Sequence, residues 1–276
     1  MIDLHLHTTA SDGTLPPAAL VARAAAVGLT TISVTDHDTT AGLMEAASAA
    51  HARGITLIPG IEITAVEDGH DVHVLGYYFD PSSTSLAAFL NDQRHDRVRR
   101  VREICARLVE MGFSVDAEKI IASTEGHPDR SIGRPAIADA LVRSGHVRDR
   151  DDAFERLIGR SSPAYVPRHG ISAAEVIDIV ARAGGIASLA HPVLAKIDGL
   201  IPGLASHGLA ALEARHSDHD PETEARYRAM ARELGLGVSG GSDFHGDETS
   251  NAGALGVVTL DRCDFDLLTA RVRDRH

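Results

Sequence analysis

The sequence predicts an α/β fold in which a barrel is interrupted by an inserted helical segment. Short apolar runs alternate with helix-like stretches over residues 1–80, and the alternation resumes at residue 171. Between residues 81 and 170 the strand rhythm stops and the sequence is mostly helical in pattern. A βαβα alternation of this length is typical of a parallel sheet, and a closed barrel is its favoured form. We therefore expect a barrel built from residues 1–80 and 171–276, with a helical insertion subdomain at 81–170.

The first half of the barrel begins with a strand in "IDLHLH". Its apolar residues alternate with polar ones, so that His5 and His7 share one face. The helix-like "PPAALVARAAAVG" follows, with prolines at its start and Gly28 at its end. Further strands are predicted in "TTISVTDHD", "ITLIPGIEI" and "DVHVLGYYF".

The insertion contains the longest predicted helix, "LAAFLNDQRHDRVRRVREICARLVEMG". Its arginines fall around several faces, a pattern that favours a solvated, salt-bridged helix. After the insertion, strands are predicted in "GGIASLAHP", "GLAALEAR" and "LGVSGGSDFH", each preceded by a helix-like segment.

Composition narrows the classes of function. The net charge of −12 argues against a nonspecific nucleic-acid coat or an anionic membrane partner, although a local site can still attract a nucleotide. No apolar run approaches the roughly 18–20 residues needed to span a bilayer. The two cysteines form no disulfide framework and no signal-peptide pattern is present, so we expect a cytoplasmic protein. Nothing in the sequence indicates the oligomeric state.

Histidines, aspartates and a glutamate recur at or just beyond the predicted ends of successive strands. Such ends converge on one mouth of a parallel barrel, where active sites are built. Singly, each residue could cap a helix or end a strand, but together they indicate a metal site. Their N/O donor mix fits Mn²⁺, Zn²⁺ or Fe²⁺ and argues against a thiolate site. The candidate ligands are His5, His7, Asp12, His37, Glu62, His73, His191, Asp243 and His245.

Six motifs resemble, in order, those of the PHP family, named for polymerase and histidinol phosphatase. They are "DLHLHTTASDGTL", "SVTDHDT", "GIEIT", "VHVLGY", "AHP" and "SDFHG". The resemblance implies a distorted (β/α)7 barrel with up to three metal ions. It is greatest to stand-alone phosphoesterases, which include nucleoside 3′,5′-bisphosphate phosphatases and a 5′→3′ exoribonuclease of short RNAs.

The resemblance also implies how two to three divalent ions, with Mn²⁺ favoured, would be shared. One ion would be held by His5, His7, Glu62 and Asp243; a second by Glu62, His73 and His191; a third by Asp12, His37 and His245. Aspartate stands at position 12 where many relatives have histidine. Either Asp36 or Asp38 is a candidate to orient the His37 ring.

Three divalent ions and three carboxylates would give the site a net charge of about +3, which would attract a phosphate. A bridging hydroxide would then be the nucleophile, so that no side chain need act as one. Arg134, beside a predicted helix start, and Arg160, in the loop before the barrel resumes, resemble substrate-binding positions of the phosphoesterases. An arginine at a helix N-terminus is a good anion site.

We therefore expect a metal-dependent phosphatase that removes the 3′-phosphate of nucleoside 3′,5′-bisphosphates. The alternatives are a 5′→3′ exoribonuclease on short 5′-phosphorylated RNA and a non-catalytic metal-binding accessory domain. Histidinol-phosphate phosphatase is a weaker alternative, because the helical insertion suggests a more elaborate substrate.

Overall fold

The computed structural model describes residues 1–122, 129–247, 249 and 251–273. Seven strands form one sheet: β1 Ile2–Leu6, β2 Thr31–Val34, β3 Thr56–Glu67, β4 His70–Tyr77, β5 Ile186–Leu189, β6 Ala211–Arg215 and β7 Gly237–Gly240. The helices of the described residues are α1 Pro17–Ala26, α2 Leu43–His51, α3 Thr84–Glu110, α4 Ala117–Ala122, α5 Arg134–Arg143, α6 Arg150–Ala153, α7 Ala173–Arg182, α8 Pro192–Ala195, α9 Ile201–His207, α10 Pro221–Glu233 and α11 Arg262–Arg273. A π-turn follows α6 at Phe154–Ile158, and a 3₁₀ turn precedes α9 at Asp198–Leu200.

The seven strands follow each other around the sheet in chain order. The first strand meets the segment after the last one, where Leu6 bridges to Phe244. The His7 N–H also donates to the Phe244 carbonyl at 3.0 Å. The sheet is thus a nearly closed α/β barrel of seven strands, which confirms the predicted fold class.

Strand β4 departs from the expected parallel arrangement. It pairs antiparallel with both β3 and β5, whereas the other neighbours pair in parallel. β3 and β4 are joined by the two-residue turn Asp68–Gly69, with φ of 48° and 73°. Two left-handed central residues make a type I′ turn, for which Asp-Gly is a preferred pair. The expectation of an all-parallel sheet was wrong at this strand.

The hairpin raises two strands above the mouth of the barrel. β2 pairs only with the first residues of β3, Thr56 to Pro59, and β3 then continues to Glu67. Because β4 runs in reverse, its first half lies at the edge where the parallel strands end. His73 therefore lies beside Ala190, whose N–H donates to the His73 carbonyl at 3.0 Å.

Three apolar clusters stabilise the fold. The largest fills the space between the sheet and the outer helices, with Leu20, Ile63 and Val180 among its members. A smaller one includes Leu4 of β1 and Leu268 of α11. The helices of residues 84–158 share a separate cluster that includes Val101, Ile104, Leu108, Ile137, Leu141, Leu157 and Ile158. The inserted segment thus has an apolar core of its own.

Helix α3 does not present all its arginines to solvent. Arg97 is 7 % exposed and Arg100 is 5 % exposed, because this face of the helix is turned towards the barrel. Arg97 Nε lies 2.6 Å from Asp38 Oδ2, and Arg168 Nη1 lies 3.0 Å from the same oxygen. The expectation of a solvated helix was therefore wrong for its inner face, although Arg102 remains exposed with Glu118.

Across the described ranges of the chain, none of the helices combines the length and the apolar character that a bilayer crossing requires.

Candidate metal centre

The nine predicted ligands converge at the mouth of the barrel. Their imidazole nitrogens and carboxylate oxygens form overlapping groups in which all the atoms lie within 4.8 Å of one another. Three of these groups are His5, His7, Glu62 and Asp243; His7, Asp12, His37 and His245; and His37, Glu62 and His73. The ninth residue, His191, directs Nε2 at Glu62 Oε1 from 3.1 Å.

Local backbone geometry aims these side chains into the mouth. The pleat of β1 turns His5 and then His7, two residues later, to one side. His191 and Asp243 follow the ends of β5 and β7 with φ of 22° and 52°. Non-glycine residues seldom adopt this left-handed region, and such strain clusters at functional sites. The loops after both strands are thus bent so that the side chains of His191 and Asp243 face the cluster.

Glu62 lies at the centre of the cluster. It is 1 % exposed and belongs to β3 rather than to the end of that strand, because β3 runs on into the hairpin. Its two oxygens face different histidines. Oε2 lies 3.3 Å from His5 Nε2, 3.2 Å from His7 Nε2 and 3.1 Å from His37 Nδ1, while Oε1 lies 2.7 Å from His73 Nδ1 and 3.1 Å from His191 Nε2. One carboxylate therefore reaches two sets of nitrogen donors.

Asp12 reaches the cluster from the loop after β1. Its Oδ1 lies 3.3 Å from His245 Nε2 and 3.7 Å from His7 Nδ1, and its Oδ2 lies 3.7 Å from His37 Nε2. Asp12 can therefore contact three histidines of the cluster. The loop is tight at Gly13, the next residue, where no side chain would fit. A Cβ added to Gly13 would lie 2.5 Å from the His7 carbonyl oxygen.

Several buried imidazole nitrogens in the cluster have no hydrogen-bond partner. They are both ring nitrogens of His7, Nδ1 of His37 and Nδ1 of His191. His7 is fully buried, and a buried polar atom without a partner is costly. Metal coordination would satisfy such nitrogens, so the donor set fits divalent ions.

The charges of the cluster also fit bound cations. Burial alone would raise the pKa of Glu62, but His37, His73 and His5 hold it well below its usual value. Burial is likewise outweighed at Asp243 and Asp12, where neighbouring histidines hold the pKa well below its usual value. The three carboxylates are therefore ionised at neutral pH. Three buried anions are unfavourable unless positive charge lies nearby.

Arg134 is the first residue of α5 and lies near the cluster. Its Nη2 is 3.3 Å from Asp71 Oδ2, and its Cζ lies over the rings of Phe154 and Tyr165, 5.4 and 5.7 Å from their centroids. It shares a cavity of about 190 Å³ with Asp12, His37 and His73. An ion pair and two aromatic contacts thus hold the guanidinium at the edge of the metal centre.

Arg160 lies farther away and is exposed. It lines a second cavity of about 590 Å³ that has Asp71 and Arg134 in common with the first. The structure therefore brings Arg134 to the ligand cluster and leaves Arg160 one cavity beyond it.

Neither aspartate beside His37 is directed at the His37 ring. Asp36 accepts hydrogen bonds from the Thr8 N–H at 2.8 Å and from the hydroxyls of Thr8 and Ser11 at 2.7 Å. Asp38 accepts from the Thr64 N–H at 2.9 Å, in addition to its two arginines. These carboxylates fix the loop after β1 and dock the insertion, so the expectation that one of them orients His37 was wrong.

Sequence reasoning missed two buried polar residues beneath the cluster, Glu213 and His216. Both belong to the β6 region and are at most 1 % exposed. A glutamate in the middle of the apolar run "GLAALEAR" was the available signal. Acidic residues are almost never fully buried unless they are paired.

The fold and the site define an α/β barrel with a polynuclear metal-ligand cluster at its mouth. The PHP domain family model matches residues 3–166. The chain is 34% identical over 250 residues to 5'-3' exoribonuclease Rnm of Escherichia coli, covering 88% of this chain and 84% of that protein. It is 34% identical over 255 residues to 3',5'-nucleoside bisphosphate phosphatase of Chromobacterium violaceum, with coverages of 88% and 87%.

A solved structure shares the fold nearly end to end. It belongs to a Bifidobacterium adolescentis protein assigned as a metal-dependent phosphoesterase, with a TM-score of 0.90 and 36% identity over 98% of this chain and 96% of that one. The chain belongs to the PHP domain family, as its motifs suggested.

Proposed function

We propose that this protein is a metal-dependent phosphoesterase that hydrolyses the 3′-phosphate of nucleoside 3′,5′-bisphosphates. The products are a nucleoside 5′-monophosphate and inorganic phosphate. The observation that carries the proposal is that three of the proposed ligands, Asp12, His37 and His73, line one cavity together with Arg134. The site then has two places for anions, one at the metals and one at the arginine.

The nine residues of the cluster are the proposed ligands of two to three divalent ions, with Mn²⁺ favoured. When bound, such ions polarise phosphoryl oxygens and make a coordinated water more acidic. The side chains themselves offer imidazole nitrogens and ionised carboxylates as donors, and Glu62, with its oxygens directed at separate histidines, is the proposed bridge. No covalent enzyme intermediate is required.

Arg134 is the proposed ligand of the second phosphate, and Arg160 extends the same side of the site. Four arginines in this region, Arg97, Arg100, Arg134 and Arg168, face only two carboxylates, Asp38 and Asp71. The surplus of positive charge favours an anionic substrate despite the net charge of −12. A charge-assisted arginine contact is worth roughly 1.5–3 kcal/mol.

The second candidate is a 5′→3′ exoribonuclease on short 5′-phosphorylated RNA. A further cavity of about 510 Å³ favours it, because this cavity meets the central one at Asp12 and Gly133 and is lined by Lys119, Arg143 and Arg150. A cavity that continues from the central one gives a longer chain room to extend past the cleaved bond.

The proposal includes two features of the whole chain. Residues 81–170 form a helical insertion subdomain that carries the substrate-binding arginines, supported by its separate apolar core. A cytoplasmic location is the second feature of the proposal, and the free thiols of Cys105 and Cys263, as is usual in a reducing compartment, support it.

Three substrates test the proposal with the Mn²⁺-loaded protein: release of inorganic phosphate is measured from adenosine 3′,5′-bisphosphate and 3′-AMP, and release of nucleoside 5′-monophosphate from a 5′-phosphorylated trinucleotide. We expect kcat/KM for the bisphosphate to exceed that for 3′-AMP by about 10- to 150-fold, the equivalent of one arginine contact. Faster cleavage of the trinucleotide would select the exoribonuclease. Absence of metal-dependent release from all three would favour the non-catalytic alternative.

Arg134→Ala should remove most of the preference for the bisphosphate and leave 3′-AMP hydrolysis nearly unchanged. Arg182→Ala, at the exposed end of α7, is the matched control and should alter neither. Equal rates on the bisphosphate and 3′-AMP in the wild type, unchanged in Arg134→Ala, would refute the two-anion site.

A further inference from the structure

Strand β6 contributes none of the nine proposed ligands. Two buried polar residues, one in the strand and one directly after it, nevertheless lie against these ligands. Glu213 belongs to the strand, and His216 follows its end by one residue. They are 0 % and 1 % exposed. Such burial has a cost unless the polar atoms find partners, so their contacts indicate what they do.

Glu213 contacts two of the proposed ligands at once. Its Oε1 lies 2.9 Å from His5 Nδ1, and its Oε2 accepts the backbone N–H of His191 at 2.8 Å. A carboxylate only accepts hydrogen bonds, so His5 carries its proton on Nδ1. In the neutral ring, the lone pair of His5 Nε2 then faces Glu62 and Asp243, each 3.3 Å away.

In His216 the proton is on the other ring nitrogen than in His5. Its Nδ1 accepts the backbone N–H of Asp218 at 3.1 Å, so in the neutral ring the proton is on Nε2. That Nε2 is buried, has no hydrogen bond, and lies 3.5 Å from Asp243 Oδ2. The other oxygen, Asp243 Oδ1, lies 3.1 Å from His7 Nε2 and 3.3 Å from His5 Nε2. His216 thus faces the oxygen that is turned away from those histidines.

We propose that Glu213 and His216 are positioning residues of the metal centre. Glu213 fixes the tautomer and ring plane of His5 and the backbone at His191, and His216 holds Asp243 so that Oδ1 faces the ions. One partner is an acceptor for a histidine ligand and the other is a donor for a carboxylate ligand. The inference rests on the proposed metal site, and such outer partners typically change metal affinity by about 10- to 100-fold.

Each variant keeps or removes one hydrogen-bonding atom of the original side chain. Glu213→Gln keeps the shape but can no longer accept both hydrogen bonds. His216→Gln places an amide donor near the position of Nε2, whereas His216→Asn mimics Nδ1 and leaves Asp243 without a donor. The readouts are the Mn²⁺ dissociation constant, from the electron paramagnetic resonance signal of free Mn²⁺, and the visible spectrum and stoichiometry of Co²⁺. The unfolding temperature of each metal-free variant separates a folding defect from a change in affinity.

We expect Glu213→Gln and His216→Asn to bind Mn²⁺ about 10- to 100-fold more weakly than the wild type. His216→Gln should stay within about threefold of the wild type, with the same Co²⁺ stoichiometry. Unchanged affinity in both weak variants, or equal defects in His216→Gln and His216→Asn, would overturn the proposal. So would the loss of one whole Co²⁺ ion, since His5, Glu213 and His216 would then be direct ligands. If the wild type and the variants show these relative Mn²⁺ affinities but the wild type releases no phosphate, only the proposed function would be refuted.

Discussion

Glu62 is the residue whose loss should disturb the metal centre most, because each of its oxygens faces a different set of histidines. Glu62→Gln removes the charge with little change of shape. We expect it to bind at least one ion fewer and to slow phosphate release by about 100-fold or more, since even outer partners of a metal cost roughly 10- to 100-fold. Metal analysis of the purified variant and a phosphate-release assay measure both effects.

Glu110→Gln, at the exposed end of α3, is the matched control. Wild-type metal content in the Glu62 variant would contradict a bridging role.

Asp71 is an internal competitor for the second phosphate. Its Oδ2 lies 3.3 Å from Arg134 and 3.5 Å from Arg100. Burial would raise the pKa of Asp71, but Arg100, Arg168 and Arg134 hold it below its usual value, so the group is ionised. Asp71→Asn should therefore tighten binding of a second phosphate. At about 8 Å and an effective dielectric constant of about 20, one charge contributes about 2 kcal/mol.

KM for the bisphosphate should accordingly fall by about 30-fold in Asp71→Asn, while KM for 3′-AMP stays nearly the same. A higher KM for the bisphosphate would mean that Asp71 mainly holds Arg134 in position and does not compete.

At the level of single residues, the nine-residue cluster could be predicted because its members recur at strand ends. Glu213 could not be found in this way, since it lies inside a strand, whereas His216 was missed although it directly follows the end of β6. Which nitrogen of His5 carries the proton depends on Glu213, which is 208 positions away in the chain. No local pattern contains that information.

Strand β7 ends so close to β1 that only glycine fits between them. A Cβ on Gly241 would lie 2.4 Å from the backbone nitrogen of His5 and 2.6 Å from its Cβ. Gly241→Ala should therefore push β1 away, lower the free energy of unfolding by about 3 kcal/mol and weaken metal binding. Chemical denaturation and a Mn²⁺ titration measure the two effects.

Gly69→Ala, in the hairpin turn, is an informative comparison. No atom lies within 4 Å of its added Cβ, and only its left-handed φ of 73° is strained. A loss of about 1 kcal/mol without a change in Mn²⁺ affinity is expected there. Equal effects of the two substitutions on metal binding would contradict the close approach as the cause.

The predicted strands and the main helices are present, because apolar runs and the glycines that bound them define these elements locally. The direction of β4 was missed, although "EDGHDV" contains an Asp-Gly pair between two apolar runs. The inner face of α3 was also missed. Arg97 and Arg100 are buried only because Asp38 and Asp71 of the barrel lie opposite, and a helical pattern alone does not show what it packs against.

At the scale of the whole molecule, the insertion and the barrel have separate apolar cores joined by buried ion pairs. Cys105 belongs to the core of the insertion, and burial raises its pKa to about 11, whereas Cys263 is exposed. At pH 8 only about one Cys105 thiol in a thousand is therefore ionised, and the thiolate is the reactive form. A thiol reagent should label Cys263 quickly and Cys105 only when the insertion opens.

Asp38→Asn removes the carboxylate shared by Arg97 and Arg168, and breaking a buried pair costs about 3–5 kcal/mol. We expect Cys105 to be labelled at a lower denaturant concentration than the one at which the sheet unfolds, as followed by circular dichroism. In the wild type, labelling and unfolding should coincide. Coincident transitions in the variant as well would show that other contacts couple the two cores.

The closure of the barrel between Leu6 and Phe244 also decides when the protein can begin to work. Residues 5 and 7 leave the ribosome first, but their partner Asp243 is 236 positions beyond His7. At roughly 5–20 residues per second, that separation takes about 12–47 s of synthesis. Throughout this interval β1 lacks its last neighbour, and His7 lacks one of its carboxylates. We therefore expect the full set of proposed ligands to come together only late in synthesis, and the open sheet edge to need protection until then.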